Sequence, residues 1–155
     1  MSSSRIDFNE PIPQMIERLK SEHRSFDSKL AEIQGSIINN DIVHATEIVR
    51  GMIDKVTHHA VEEEARLMRV IMQKAKNESL ESIKIMQEHN WVMDFFKNEL
   101  EAIENRINSE TDSKSYADNI QQSKKELNEF ITNLRSHFSE EELIVFPLVL
   151  KADLL

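Results

Sequence analysis

Two stretches of this chain share the pattern His-x-x-Glu-Glu-Glu: HAVEEE over residues 59–64 and HFSEEE over residues 137–142. On a helix, residues four apart lie on one face, about one turn from each other. His59 with Glu63, and His137 with Glu141, therefore each stack an imidazole over a carboxylate, a two-toothed clamp for a metal cation. Two further histidines, His23 and His89, fall on the apolar seams of their own helical segments. Together these segments would bring four imidazoles and two carboxylates to a common centre.

The elements that must position these residues are marked by breaks in the periodicity. Capping and helix-starting residues cluster at Asn9-Glu10-Pro11, at Asn39-Asn40-Asp41, from Lys76 to Ser79, and from Asn108 to Ser113. They divide the chain into amphipathic helices near 11–38, 41–75, 79–107 and 113–149. Short connections between long helices predict an all-α fold, an up-down-up-down antiparallel four-helix bundle forming one domain over residues 1–155. The seams read Ile12, Met15, Leu19, His23, Phe26, Leu30, Ile33, Ile37; then Ala45, Val49, Met52, Val56, His59, Glu63, Leu67, Val70. They continue as Ile85, His89, Val92, Phe96, Leu100, Ile103, Ile107, and as Ile120, Leu127, Phe130, Leu134, His137, Glu141, Ile144, Leu148. Counted from the connections, the six polar residues arrive at similar depths, to within about a turn and a half.

Composition excludes several classes. Two Gly and three Pro in 155 residues favour long helices over strands, and the lack of cysteine removes disulfides, thiolate metal sites and thiol nucleophiles. A net charge of -9, from 19 basic and 28 acidic residues, disfavours nucleic acid and anionic membranes as partners. No apolar run approaches the roughly 18 residues of a membrane span, and the opening Met1-Ser2-Ser3-Ser4 does not resemble a secretory leader, so a soluble cytoplasmic protein is expected.

Six ionisable groups inside an apolar bundle are costly unless something neutralises them. Divalent cations do so directly, since they bind carboxylates ionised and imidazoles neutral. Six nitrogen and oxygen donors exceed one tetrahedral zinc and suit two octahedral ions sharing two bridging carboxylates. Iron fits better than calcium or magnesium; manganese and zinc stay open on ligand identity.

The ordered set of EHRSF around His23, HAVEEE, QEHNWV around His89 and HFSEEELIVFP resembles the hemerythrin-like, or HHE cation-binding, domains over essentially the whole chain. The resemblance implies a four-helix bundle with a non-haem diiron centre, bridged by two carboxylates and an oxo or hydroxo group. Such a centre reacts with dioxygen or related small molecules such as peroxide and nitric oxide. Oxygen-carrying hemerythrins have another histidine one turn before the His89 position, where this chain has Ile85. They also space the last His and Asp by five residues, whereas Glu141 follows His137 by four. The chain looks more like the four-His, two-Glu branch. That branch includes proteins implicated in repair of iron-sulfur clusters under nitrosative or oxidative stress, and iron- and oxygen-sensing domains. No counterpart of the cysteine-bearing domain of many repair proteins occurs in these residues.

The expected ligands are thus His23, His59, Glu63, His89, His137 and Glu141, in a pocket walled by Leu19, Phe26, Ile85, Val92, Leu134 and Ile144. Glu62, Glu64, Glu140 and Glu142 read as surface charges, and His58 with Glu62 is the rival clamp, disfavoured because Lys55 and Gly51 precede it on its face. His44 reads as a surface residue, Trp91 as packing on a flank or against a partner, and Met52, Met68, Met86 and Met93 as fillers of the core. Pro147 is expected to end or kink the last helix. Three alternatives remain: an iron or redox sensor read by a protein partner or a second copy, a reversible oxygen carrier, and phosphotransfer through His58.

Overall fold

Four helical rods account for most of residues 5–109 and 112–155, which a computed structural model of the chain describes. The first rod is α1 (Ile12–Ile38), 27 residues and about 40 Å long. The second joins α2 (Ile42–Glu62), a π-helical segment (Glu63–Met68) and α3 (Arg69–Lys74). The third joins α4 (Ser79–Asp94), a π segment (Phe95–Glu99) and α5 (Leu100–Asn108), and the fourth joins α6 (Ser113–Glu140), a π segment (Glu141–Val145) and α7 (Phe146–Asp153). Among the described residues there is no strand, and no helix is long and apolar enough to cross a membrane.

The connections follow the capping chemistry. After α1, Asn40 takes a left-handed φ of 59°, which asparagine tolerates better than most residues. Its N–H and that of Asp41 return to the carbonyls of Ile37 and Ser36, closing a Schellman motif. The Asp41 carboxylate then accepts from His44 N–H and starts α2. A 3-10 turn, Lys76–Glu78, leads into α4, and Asp112 caps α6 through Ser115 N–H. Residues 110 and 111 of the expected break at 108–113, and the opening residues 1–4, lie outside the described residues.

The core is two apolar clusters with a polar layer between them. One holds the second half of α1 from Phe26 to Ile37, the part of α2 from Ile42 to Val56, and Val92 to Ile107 with Leu127 to Phe138. The other holds Ile12 to Leu19, Leu67 to Ile71, Ile85, and Val145 to Val149. Each rod passes from one cluster to the other, and the crossing points are His23, His59 with Glu63, His89, and His137 with Glu141.

Departures from the expected seams beyond Glu63 and Glu141 have one cause. A π segment takes about one more residue per turn than an α-helix, so residues beyond it are rotated by roughly one position. In the second rod the core residue is Ile71, not Val70, which is only half-buried. In the fourth rod Val145 and Val149 are fully buried, while Ile144 is 48% exposed and Leu148 half-buried. The same segment corrects the reading of Pro147. Helix α7 runs through this proline, which stands in its first turn, directly after the π segment has already broken the regular hydrogen-bond ladder.

Candidate metal centre

His23, His59, Glu63, His89, His137 and Glu141 lie together in the layer, none more than 6% exposed. Both carboxylates sit at the first residue of a π segment, a kind of helix defect frequent at functional sites. Their oxygens point two ways. Glu63 Oε2 is 3.2 Å from His59 Nε2 and Oε1 is 3.0 Å from His89 Nε2; Glu141 Oε1 is 2.9 Å from His23 Nε2 and Oε2 is 3.4 Å from His137 Nε2. The Nε2 atoms of His23 and His59 are 3.1 Å apart. Two four-donor groups result, His23-His59-Glu63-Glu141 and Glu63-His89-His137-Glu141, each with its donor atoms within 4.8 Å of one another. Donors adjacent on an octahedral ion with bonds of about 2.1 Å lie roughly 3 Å apart, so the spacing suits one cation per group.

The other ring nitrogen of each histidine is engaged by a carboxylate from a different rod. His59 Nδ1 donates to Glu22 at 2.7 Å, His89 Nδ1 to Glu64 at 2.7 Å, His137 Nδ1 to Glu88 at 2.6 Å and His23 Nδ1 to Glu142 at 2.7 Å. The donors and acceptors run in sequence around the bundle: the first rod's glutamate holds the second rod's histidine, and so on until the fourth rod holds the first. With the proton on Nδ1, every Nε2 presents a lone pair to the centre.

That arrangement leaves acceptors facing acceptors. Both oxygens of Glu63, Oε2 of Glu141 and Nε2 of His89 are buried without a hydrogen bond. The 3.0 Å approach of His89 to Glu63 is therefore a contact of two lone pairs unless a proton or a metal cation lies between them. Protons can serve. Burial by itself would lower the histidine pKa values, but the charge of Glu63 and bonds to Glu22 and Glu63 push His59 up to about 10. Against the same burial penalty, bonds to Glu141, Glu63 and Glu64 raise His89 to about 11, and the charge and bonding of Glu141, with Glu88, raise His137 to about 9. Burial would raise the Glu141 carboxyl, yet the charge of His137 and the bonds from His137 and His23 hold it well below the usual carboxylate range. A site that draws protons this strongly onto nitrogen also attracts metal cations. The six donors, their spacing and the orphaned acceptors fit a pair of such cations.

Several readings from the sequence need correction here. Glu62 is buried, not a surface charge: Arg18 grips it through contacts of 2.6 and 3.1 Å while also bonding Glu10 and Glu22. Arg18 offsets the charge of Glu62, and His58 Nε2 lies 3.2 Å from the same carboxylate, so the rival clamp faces the arginine instead of the centre. Glu64 and Glu142 are half-buried clasps for His89 and His23, and Glu140 is half-buried against Lys84. Glu22 and Glu88 were missed altogether. Their signal was adjacency: each of the four clasps stands next to His23, Glu63, His89 or Glu141 in sequence, about 100° around the helix, where it reaches the neighbouring rod.

The apolar surroundings also differ in part. A cavity of about 10 Å³ touches His59, His89 and His137 and is walled by Val56, Ala60, Val92, Met93, Leu134 and Phe138. Val92 and Leu134 are as expected. Phe26 meets His59 edge-on with ring centroids 5.4 Å apart, whereas Leu19 and Ile85 belong to the other cluster and Ile144 faces outward. His44 is exposed, Trp91 packs within the chain against Phe95 and Phe130, Met52 and Met68 are buried, and Met86 and Met93 are half-buried. No family model, curated protein or solved structure matches this chain.

Proposed function

We propose that this chain is a hemerythrin-like non-haem diiron protein that binds dioxygen, peroxide or nitric oxide, in a response to oxidative or nitrosative stress. One observation carries the reading. Four buried histidines each give Nδ1–H to a carboxylate of another rod and converge, Nε2 inward, on two carboxylates that share their oxygens between two donor groups. The alternation of the rods between the two core clusters supports an up-down-up-down order.

Iron is favoured over zinc on electrostatic grounds. Two inner and four outer carboxylates concentrate negative charge around the donors, which stabilises cations that gain charge on oxidation. When bound, a pair of iron ions supplies vacant coordination positions and exchangeable electrons. The chain supplies the rest: Glu22, Glu64, Glu88 and Glu142 fix the tautomer and aim of the histidines, while Val56, Val92, Leu134 and Phe138 keep bulk water away. A cavity of about 10 Å³ has room for a molecule of roughly water's size, which matches a diatomic ligand and not an organic substrate. Ile85 contributes no donor, so reaction at the centre is preferred over reversible carriage.

Metal analysis of protein purified without added zinc, with an absorption spectrum after ferrous loading and exposure to air, tests this. Two iron ions per chain are expected, lost in His59→Ala and kept in His58→Ala. A protein that binds no metal would refute the reading, and a stable, reversible oxygenated spectrum would turn it into a carrier.

A further inference from the structure

Of the residues that line the small pocket touching His59, His89 and His137, Met93 alone carries sulfur. It is half-buried, and the Thr57 hydroxyl of the second rod donates to its sulfur at 3.4 Å. The same helix holds a natural comparison. Met86, seven residues and about 10 Å earlier in α4, is also half-buried but packs against the other apolar cluster, away from this pocket. Met15, Met52 and Met68 are buried, and Met72 is 45% exposed. Position beside the imidazoles, not exposure, is what sets Met93 apart.

We propose that Met93 is a modification site: peroxide drawn to the metal centre oxidises its thioether to the sulfoxide, a reversible mark of oxidative exposure placed beside the donors. The inference rests on the reading of the layer as a peroxide-binding metal site and adds the residue that receives the oxygen. When bound, cations supply Lewis acidity, which polarises an O–O bond. A sulfur lone pair of Met93 attacks one peroxide oxygen, and the S–O bond forms as the O–O bond breaks. The sulfur loses two electrons and the peroxide gains them; the departing hydroxide takes the proton of the transferred oxygen and leaves as water. Peroxide is both the oxidant and the oxygen source. The product is polar, and methionine sulfoxide can be reduced back enzymatically. In a half-buried position its oxygen needs a donor, and the Thr57 hydroxyl already bonds the sulfur that would carry it.

Hydrogen peroxide challenge of the iron-loaded and the metal-free chain, with metal stoichiometry measured first, provides the test. A single tryptic peptide, residues 85–97, carries both Met86 and Met93, and tandem mass spectrometry of it localises each added oxygen. With two iron ions per chain, Met93 is expected to oxidise at least about tenfold faster than Met86, a difference of about 1.4 kcal/mol in barrier. In the metal-free chain the two should oxidise within about threefold of each other, and the exposed Met72 should lead. With two iron ions bound, oxidation of Met93 no faster than that of Met86 would overturn the assignment and leave the metal site standing. An equal preference for Met93 in the metal-free chain would do the same. A chain that takes up no metal would overturn the site and the assignment together.

Discussion

Replacing Glu22 by alanine should weaken metal binding about tenfold while lowering the stability of the metal-free chain by no more than about 1 kcal/mol. The Glu22 carboxylate accepts the Nδ1–H of His59 at 2.7 Å and also takes Arg18 at 2.8 Å. Without it, His59 loses the partner that keeps its proton on Nδ1 and its Nε2 lone pair aimed inward. Outer carboxylates of this kind are worth about 10–100-fold in metal affinity, or roughly 1.4–2.8 kcal/mol. The low end applies, because the Glu22 side chain is 31% exposed and water can replace part of its bond. Glu22→Gln keeps an acceptor and loses the charge, so it should fall between alanine and wild type. The bond to His59 is part-buried and also counts in the metal-free chain, where a hydrogen bond is worth about 1 kcal/mol net, so that form should lose no more than this. Competition with a chelator for cobalt(II) or zinc(II) measures the affinity, and urea unfolding of the metal-free protein measures the stability. Glu17→Ala, at a glutamate whose side chain is 74% exposed, is the matched control. Unchanged affinity in Glu22→Ala, or a loss of stability as large as the loss of affinity, would refute the reasoning.

Two further outcomes are expected. In the metal-free chain the pKa values of His59, His89 and His137 are raised to about 10, 11 and 9 from an unfolded value near 6.5, so their contribution is complete below about pH 6.5. It is lost progressively as pH rises from about 6.5 through the folded values of about 9–11; urea midpoints should therefore fall across that range for the metal-free form and level off above it, but not fall so for the loaded form, where cations replace those protons. Phe130→Ala removes a fully buried ring stacked 4.2 Å from Phe95 and should cost about 3–5 kcal/mol in thermal or urea unfolding, while saturating metal still binds at the wild-type stoichiometry.

The helical class and the convergence of six side chains were legible because seam periodicity and the four-residue His–Glu spacing are local properties. His59 could be told from His58 because Met52 and Val56 precede it on the apolar face while Gly51 and Lys55 precede its neighbour. What escaped was set by neighbours in space. The sequence offers no mark of a π segment, so Val70, Ile144 and Leu148 were assigned to the core where Ile71, Val145 and Val149 stand. Acidic runs look like solvated faces until the adjoining rod is known, which hid the clasping of His89 by Glu64 and of His23 by Glu142. Glu62 was misjudged for the same reason, its partner Arg18 lying 44 residues away.

The closed circuit of clasps ties each rod to two histidines, its own and the one its glutamate secures on the next rod. A slip of any rod along its axis would therefore loosen a pair of donors at once, and these belong to different corners of the centre. Assembly of such a hoop is all or none: the links engage together at one alignment of the rods, so local looseness is penalised at both ends of every slipped segment.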